Sequence, residues 1–206
     1  MPRAVALLIG LALTALVAGV VALMVGSLPL SPARVITALL GQGDELARQV
    51  IWTVRLPRAL AAFAVGGLLA VSGALMQVML RNPLADPYVL GVSGGAAVAA
   101  LMGLMAGLGS QQVALPAFAG ALGSTALVFG LARRSGGGNP SRLLLSGVGL
   151  AAGWGALVSF LLAIADPSRL PGMLFWLMGD LGAVARPPWL ALVVLMLLAL
   201  LALPLG

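Results

Sequence analysis

Cysteine, histidine and lysine are all missing from this chain of 206 residues, and acidic residues number only five. Without cysteine and histidine the chain has no disulfides, no thiolate chemistry, no Cys/His zinc site and no histidine general base. It also contains no Gly-x-x-x-x-Gly-Lys-Ser/Thr segment, which excludes ATP binding by a phosphate loop. We therefore expect no enzyme activity, no cofactor and no metal site in this chain.

Apolar residues dominate what remains, since 62% of the chain is hydrophobic and 8% is charged. A soluble domain is about 45–50% apolar and about 25% charged, because polar side chains must cover its surface. Lipid suits this chain better than water, and we predict an all-α, polytopic bundle of transmembrane helices. The net charge of +6 comes from arginines scattered between apolar runs. That pattern indicates interfacial anchoring rather than nucleic-acid binding.

Charge-free stretches predict about six spans within a single transmembrane domain that covers residues 1–206. A span needs about 20 predominantly apolar residues. The predicted spans are residues 4–26, 59–80, 88–106, 113–132, 143–165 and 188–206. We interpret the first as an uncleaved helix, because it is longer than the apolar region of a secretory signal peptide. The chain stops at the end of an apolar run, so we expect the domain to be C-terminally incomplete.

Proline marks the expected starts of several helices. Ser31 followed by Pro32 predicts an N-cap and a first helical residue, and Asp86 followed by Pro87 predicts the same for the third span. Pro57 predicts that the second span begins there, since a proline at the first helical position loses no hydrogen bond. This start places two neighbouring arginines at the positive end of a helix dipole.

Those two arginines, Arg55 and Arg58, flank the expected helix start. Each would be disfavoured there by about 0.3–1 kcal/mol, and the two share a face if they are helical. They are interpreted either as interfacial anchors or as a docking site for carboxylates on a partner protein.

Small residues form a stripe at helical spacing in the second span, at Gly66, Ala70, Gly73 and Gln77. Small side chains let helices approach closely in lipid, and a glutamine there needs a polar partner or water. The stripe is interpreted either as helix packing with one interhelical hydrogen bond or as the lining of a translocation path. Aspartate, glutamate and lysine do not occur in the predicted spans, which disfavours an ion-coupled pump.

Arginine counts leave the membrane orientation open. With the N-terminus in the cytoplasm, five arginines lie inside and six outside, so the positive-inside rule does not decide. The outer six are Arg34, Arg48, Arg55, Arg58, Arg169 and Arg186. A compact loop with Arg133, Arg134 and Arg142 favours the cytoplasmic side, so some of the outer arginines need another explanation.

Six short blocks follow one another from residue 55 onward. They are Arg-Leu-Pro-Arg at 55–58, Gly-Ala-Leu-Met-Gln at 73–77, Arg-Asn-Pro-Leu-Ala-Asp-Pro at 81–87, Leu-Gly-Val-Ser-Gly-Gly-Ala at 90–96, Ser-Arg-Leu-Leu-Leu-Ser-Gly at 141–147 and Phe-Trp-Leu-Met-Gly-Asp-Leu at 175–181. In this order they resemble the FecCD-type permeases. These are the membrane subunits of bacterial ABC importers for iron–siderophore complexes, haem and cobalamin.

The resemblance implies a multi-pass protein of the bacterial inner membrane, surrounded by lipid. Its fold would have roughly ten spans, of which about six, each about 20 residues long, lie in this chain. The resemblance further implies a permease homodimer, cytoplasmic ATPase subunits, and a periplasmic or lipid-anchored substrate-binding protein. Transport would then proceed by alternating access. The resemblance does not distinguish siderophore from haem or cobalamin.

Roles for individual residues also follow from the resemblance. Arg55 and Arg58 would pair with glutamates of the binding protein, and the fifth span, which contains Gly147, would line the path between two permease copies. The expected cytoplasmic gate consists of a turn and a loop, namely Asn82, Pro83 and Leu84, and Asn139, Pro140 and Ser141.

In such permeases the segment that contacts the ATPase follows the sixth span. We therefore expect that these 206 residues alone do not couple ATP hydrolysis to transport. Two alternatives stay open. A secondary transporter or passive channel would work without an ATPase, and a non-functional membrane fragment would not bind a periplasmic partner.

Overall fold

A computed structural model describes residues 2–83, 86–134, 140–182 and 189–202. All the regular structure in these ranges is helical, which confirms the predicted all-α fold. The α-helices are α1 (Pro2–Met24), α2 (Pro32–Leu39), α3 (Glu45–Val50), α4 (Leu56–Leu80), α5 (Val92–Met105), α6 (Ala114–Arg134), α7 (Pro140–Ile164), α8 (Leu170–Leu177) and α9 (Trp189–Ala202). A π-helical segment, Ile51–Arg55, precedes α4, and a 3₁₀ turn, Pro87–Leu90, precedes α5.

Four helical stretches of the described chain are long and apolar enough to cross a membrane. They are Val5–Met24, Glu45–Leu80, Ala114–Arg133 and Arg142–Ile164. The predicted span 88–106 instead contains α5, whose 14 residues rise about 21 Å, which is less than the bilayer core of about 30 Å. The predicted span 188–206 contains α9, which is described over Trp189–Ala202. Four of the six predicted spans therefore overlap long apolar helical stretches of the described chain, and the set of six stays a prediction.

The sequence predicted that the second span begins at Pro57, and this prediction is wrong. The helical stretch starts at Glu45 and continues through the π segment to Leu80. Asp44 is the N-cap, and its carboxylate accepts a hydrogen bond from the backbone N–H of Leu46. Pro57 is accommodated within the helix because the preceding turn is wide: the Leu56 N–H donates to the Ile51 carbonyl five residues back.

One compact unit contains α1, α2, α3, the first part of α4 and α9. Its core is formed by Leu23, Leu30, Val35, Ala38, Ala47 and Ile51. Ser31 caps α2 and Pro32 is its first residue, as predicted. Helix α9 packs closely on α4, since a Cβ on Gly67 would lie 2.5 Å from Leu195 Cδ2.

The other compact unit contains the end of α4 and helices α5 to α8. Helices α5 and α6 touch backbone to backbone: a Cβ on Gly120 would lie 2.3 Å from the Gly95 carbonyl oxygen and 2.6 Å from Ala99 Cβ. Such close approach through small residues is how membrane helices gain packing energy without a hydrophobic drive. A single domain over residues 1–206 stays a prediction.

Three helices end on a glycine in the left-handed backbone region. Gly41, Gly107 and Gly179 follow α2, α5 and α8, with φ angles of 75°, 90° and 83°. At each end the glycine N–H bonds to the carbonyl three residues back, and the next N–H bonds five residues back. This is the Schellman motif, which glycine favours because it has no Cβ.

Helix α4 ends in the same motif, but with an arginine in the glycine position. Arg81 has a φ of 48°. Its N–H donates to the Val78 carbonyl at 3.2 Å, and the Asn82 N–H donates to the Gln77 carbonyl at 3.1 Å. A left-handed conformation costs a residue with a Cβ about 1–2 kcal/mol.

Candidate functional site

Arg55 is buried, with 8% of its surface exposed. Its Nη1 donates to the carbonyls of Leu23 at 2.6 Å and Met24 at 3.1 Å, and its Nη2 donates to the carbonyl of Leu28. The last carbonyls of a helix have no partner within the helix, and a cation is favourable at that end of the dipole. Arg55 therefore closes the C-terminus of α1.

Because Gly26 has no side chain, the guanidinium of Arg55 can occupy the space next to it. A Cβ on Gly26 would lie 2.8 Å from Nη2 of Arg55. Any side chain at position 26 would therefore displace the guanidinium from its carbonyl acceptors.

Arg58 lies three residues further along and is exposed. Of the two arginines predicted to dock a partner, only Arg58 presents its side chain at the surface of the chain. The dipole penalty expected for the pair does not apply, because the helix begins at Glu45 rather than at Pro57. The π segment and α4 thus give neighbouring arginines different environments.

A cavity of about 880 Å³ lies beside the second half of α4. Its walls are formed by Leu69, Ser72, Gly73, Gln77, Pro83, Asp86, Tyr88, Val92, Ser93 and Ala96. The volume is within the range of sites for small molecules, and the mixture of apolar walls with a few polar groups is typical of them. Gly73 and Gln77 of the predicted stripe face this cavity. Gly66 does not, and a Cβ there would meet nothing within 4 Å.

The turn after α4 forms one edge of the cavity. Asn82 is half-buried and Pro83 is exposed. Asp86 caps the next element as predicted, since its Oδ1 accepts the Tyr88 N–H at 2.8 Å. That element is the 3₁₀ turn, however, and α5 begins only at Val92. Leu84 lies outside the described residues.

The other predicted gate loop is described in part. Asn139 lies outside the described residues, and Pro140 and Ser141 are the first two residues of α7. Gly147 is buried in the same helix.

Ser124 connects three elements through hydrogen bonds that the sequence did not reveal. Its hydroxyl donates to the Gly91 carbonyl at 2.8 Å and accepts from Nε1 of Trp154 at 2.9 Å, and Ser124 is only 1% exposed. These bonds link α6 and α7 to the residue that precedes α5. A serine and a tryptophan within charge-free helices are the signal that could have indicated such a link, because polar groups in lipid need partners.

Arg169 closes a second helix. Its Nη1 donates to the carbonyls of Leu104, at 3.1 Å, and Met105, at the end of α5, although its side chain is exposed. Arg48 likewise donates to the Gly41 carbonyl, just after α2, at 3.2 Å. Three of the six arginines that the charge count placed outside therefore bind backbone carbonyls of this chain, which explains their presence.

Asp166 lies in the connection between α7 and α8. The Ser168 hydroxyl donates to its Oδ1 at 2.6 Å and lowers the pKa of the Asp166 carboxyl. The Ser168 backbone N–H, at 2.8 Å, and the charge of Arg169 act in the same direction. This carboxylate therefore orders the turn that leads into Arg169.

Comparison with known proteins agrees with this architecture. The FecCD transport family matches residues 11–205. The chain is 43% identical over 155 residues to the vitamin B12 import system permease protein BtuC of Serratia proteamaculans, covering 73% of this chain and 46% of that protein. It is 41% identical over 176 residues to the achromobactin transport system permease protein CbrC of Dickeya dadantii, covering 84% and 50%.

A solved structure shares the fold as well. It is an inward-facing conformation of a metal-chelate type ABC transporter, with a TM-score of 0.77 and 32% identity over 100% of this chain and 62% of that one. The chain spans about half the length of the curated relatives it matches. It is a multi-pass protein of the cytoplasmic membrane, and it belongs to the FecCD transport family.

Proposed function

We propose that the chain forms the translocation path of an ABC importer for iron chelates or cobalamin. The observation that carries this proposal is the family match over residues 11–205. The energy would come from separate cytoplasmic ATPase subunits, and a second permease copy would complete the path. Rocking of the two copies would expose the path to each side of the membrane in turn.

Two relatives are named for the import of vitamin B12 and achromobactin, and we propose that this chain serves a substrate of a similar kind. The cavity beside α4 is consistent with such cargo, because it combines apolar walls with Ser72, Gln77 and Ser93. We propose that Gly73 and Gln77 line the path, and that the buried Gly147 allows close helix packing around it. Gly66 does not share this role, because a Cβ there would meet nothing within 4 Å. The side chain of Gln77 makes no hydrogen bond within the described part of the chain, so it can bind substrate or water.

The turn after α4 and the start of α7 are proposed as the cytoplasmic gate. Asn82 and Pro83 follow directly on the left-handed Arg81. With Leu84 they would form one side of the gate, and the loop that begins α7 would form the other: Asn139, Pro140 and Ser141. A proline-restricted turn suits a gate because it moves as a rigid piece.

Arg58 is proposed as the docking residue for carboxylates of a substrate-binding protein. It is exposed, whereas Arg55 is buried against three backbone carbonyls. Arg55 would support docking by fixing the end of α1 against the π segment, not by touching the partner. Arg58→Glu should weaken capture of the binding protein at least tenfold, and Arg34→Glu is the matched control because it changes the net charge equally.

Uptake into proteoliposomes tests the function itself. Vesicles carry the permease with its ATPase, and labelled cobalamin or ferric siderophore is offered with binding protein and ATP. We expect uptake by the full-length permease only when all components are present, and no ATP-dependent uptake when these 206 residues replace it. Uptake without the ATPase would instead establish a secondary transporter or channel. Failure of every combination, together with no capture of the binding protein, would establish a non-functional fragment.

A further inference from the structure

Three glycines around the start of α5 are explained by one buried junction between α5, α6 and α7. A Cβ on Gly91 would lie 3.3 Å from Trp154 Cδ1, and a Cβ on Gly94 would lie 2.6 Å from Trp154 Cβ. A Cβ on Gly95 would lie 2.5 Å from Ser124 Cβ. Because these side chains are missing, the Trp154 indole and the Ser124 hydroxyl can reach the backbone where α5 begins.

The hydrogen bonds of this junction have a fixed direction. An indole N–H only donates, so the Ser124 oxygen accepts from Trp154 Nε1 and its own proton goes to the Gly91 carbonyl. The same carbonyl accepts the Gly95 N–H at 3.1 Å, which is the first hydrogen bond of α5. Ser124 is 1% exposed, so these bonds lie inside the chain, where a polar group that loses its partner is costly.

The junction fixes the far end of the turn that follows α4, which is one side of the proposed gate. Gly91 directly follows the 3₁₀ turn Pro87–Leu90, into which that turn leads. Leu90 is buried in a cluster with residues from the end of α4, from α6 and from the start of α7, namely Leu80, Val128, Ala132 and Leu143. Both sides of the gate are therefore attached to one packed unit, the turn after α4 through Gly91 and the loop before α7 through Leu143.

We propose that Ser124 and Trp154 are positioning residues of the gate, an inference that rests on the proposed transport function. They hold the 3₁₀ turn, α6 and α7 as one rigid body, so that both sides of the gate move together. Without the junction, the turn after α4 would move independently of α7. ATP hydrolysis by the partner subunits would then continue, but fewer substrate molecules would cross for each ATP consumed.

Hydrogen exchange of the full-length permease in detergent, followed by mass spectrometry, tests the rigid body directly. Ser124→Ala removes both hydrogen bonds, and we expect the backbone amides of residues 88–95 to exchange about tenfold faster, the effect of one buried hydrogen bond. Trp154→Phe keeps an aromatic ring but removes the N–H, and it should give a smaller increase at the same amides. Thr125→Val is the matched control on α6, because the Thr125 hydroxyl donates to the Ala121 carbonyl of its own helix at 2.8 Å.

Uptake and ATP hydrolysis, measured together in proteoliposomes with the ATPase and the binding protein, test the consequence for transport. We expect Ser124→Ala to lower the uptake per ATP hydrolysed about fivefold, with ATP hydrolysis retained. Adding Trp154→Phe to this variant should lower the ratio no further, because the junction is already broken. Thr125→Val should leave the ratio unchanged.

Unchanged hydrogen exchange at residues 88–95 in Ser124→Ala would overturn the proposal. A loss of uptake and ATP hydrolysis in equal proportion would also overturn it, because Ser124 would then serve folding alone. If Ser124→Ala does not fold, Trp154→Phe decides by the same two measurements, since it leaves the bond from Ser124 to Gly91 in place. Wild type without uptake would refute the proposed function itself, whereas wild-type uptake with an unchanged ratio in the variants would refute only the role of the junction.

Discussion

Arg55 and Arg169 perform the same task in the two compact units, under different conditions. Each guanidinium closes the C-terminus of a helix by donating to backbone carbonyls, Arg55 on α1 and Arg169 on α5. Arg55 is buried, whereas Arg169 is exposed. Water competes for the carbonyls only in the second case, so the same chemistry should stabilise the fold by different amounts.

The two capped helices also differ in how the rest of their length is held. No residue in the most apolar window of α1 is buried. Helix α1 is therefore attached to the rest of its unit mainly through the end that Arg55 closes. Helix α5 buries six of its 14 residues, largely against the neighbouring α6. Helix α1 is therefore held by the long polar side chain of Arg55. Helix α5 is held by close contact with α6, which the small residues at that contact permit.

The largest effect is expected from Arg55→Met. The substitution leaves three carbonyls near the end of α1 without their charged donor, and hydrogen bonds to charged groups are worth about 1.5–3 kcal/mol each. We expect the free energy of unfolding in detergent, followed by tryptophan fluorescence, to fall by about 3 kcal/mol. Arg34→Met, which removes another exposed arginine side chain of the same unit, should change it by less than about 0.5 kcal/mol. Equal losses for both variants would refute the structural role of Arg55.

Gly120→Val tests the close backbone contact between α5 and α6 in the second unit. Its side chain must push α6 away from the Gly95 carbonyl, and overpacking costs about 1–3 kcal/mol. We expect a loss of about 2 kcal/mol in the same unfolding measurement. Gly123→Val is the control on the same helix, because a Cβ there meets nothing within 4 Å. If the two valines behave alike, backbone contact does not hold α5 to α6.

Arg169→Gln should have a smaller effect than either. The guanidinium is exposed, so its interaction with the end of α5 is worth about 0.5 kcal/mol and is screened by salt. Thermal unfolding at low and high ionic strength should show the difference between variant and wild type shrinking as salt increases. A loss as large as that of Arg55→Met would mean that burial does not set the strength of these caps.

Protonation of Asp166 gives the smallest expected change. Because the pKa of Asp166 is lower in the folded chain than in the unfolded one, the carboxylate stabilises the fold at pH values above its unfolded pKa. This stabilisation is lost as the pH falls through the folded pKa. Ser168→Ala removes the hydroxyl that lowers the pKa most, so the carboxyl should titrate at higher pH in an NMR titration. A pKa that is unchanged or lower in Ser168→Ala would contradict this assignment.

Local sequence signals predicted the parts of the fold that depend on local interactions. The charge-free runs predicted the first and last residues of α6 and α7 to within a few positions. Apolar length is enough for this prediction, because it decides which segment spans the membrane. Ser31 and Asp86 were predicted correctly as caps, since a cap bonds two or three residues away. Pro57 gave the wrong helix start, because the π turn that admits it has no signature in the sequence.

The candidate site was predictable only in part, for a related reason. The spacing of Gly73 and Gln77 placed them on one stripe, and both face the cavity. The carbonyl partners of Arg55 lie 27 to 32 residues away in sequence, and those of Arg169 lie 64 and 65 residues away. Contacts at such separation depend on how the helices meet, so nothing near either arginine indicates whether it points inward or outward.

The π turn at Ile51–Arg55 has a consequence for the register of the whole stretch from Glu45 to Leu80. It accommodates one residue more than an α-helical turn would, so the stretch before it and the stretch after it are offset by about 100° relative to one uniform helix. Deleting one residue within 51–55 would restore uniform geometry and rotate Glu45–Val50 to another face. Sequence alignments that place a gap here would therefore shift every face assignment on one side of it, although the apolar content of the span would be unchanged.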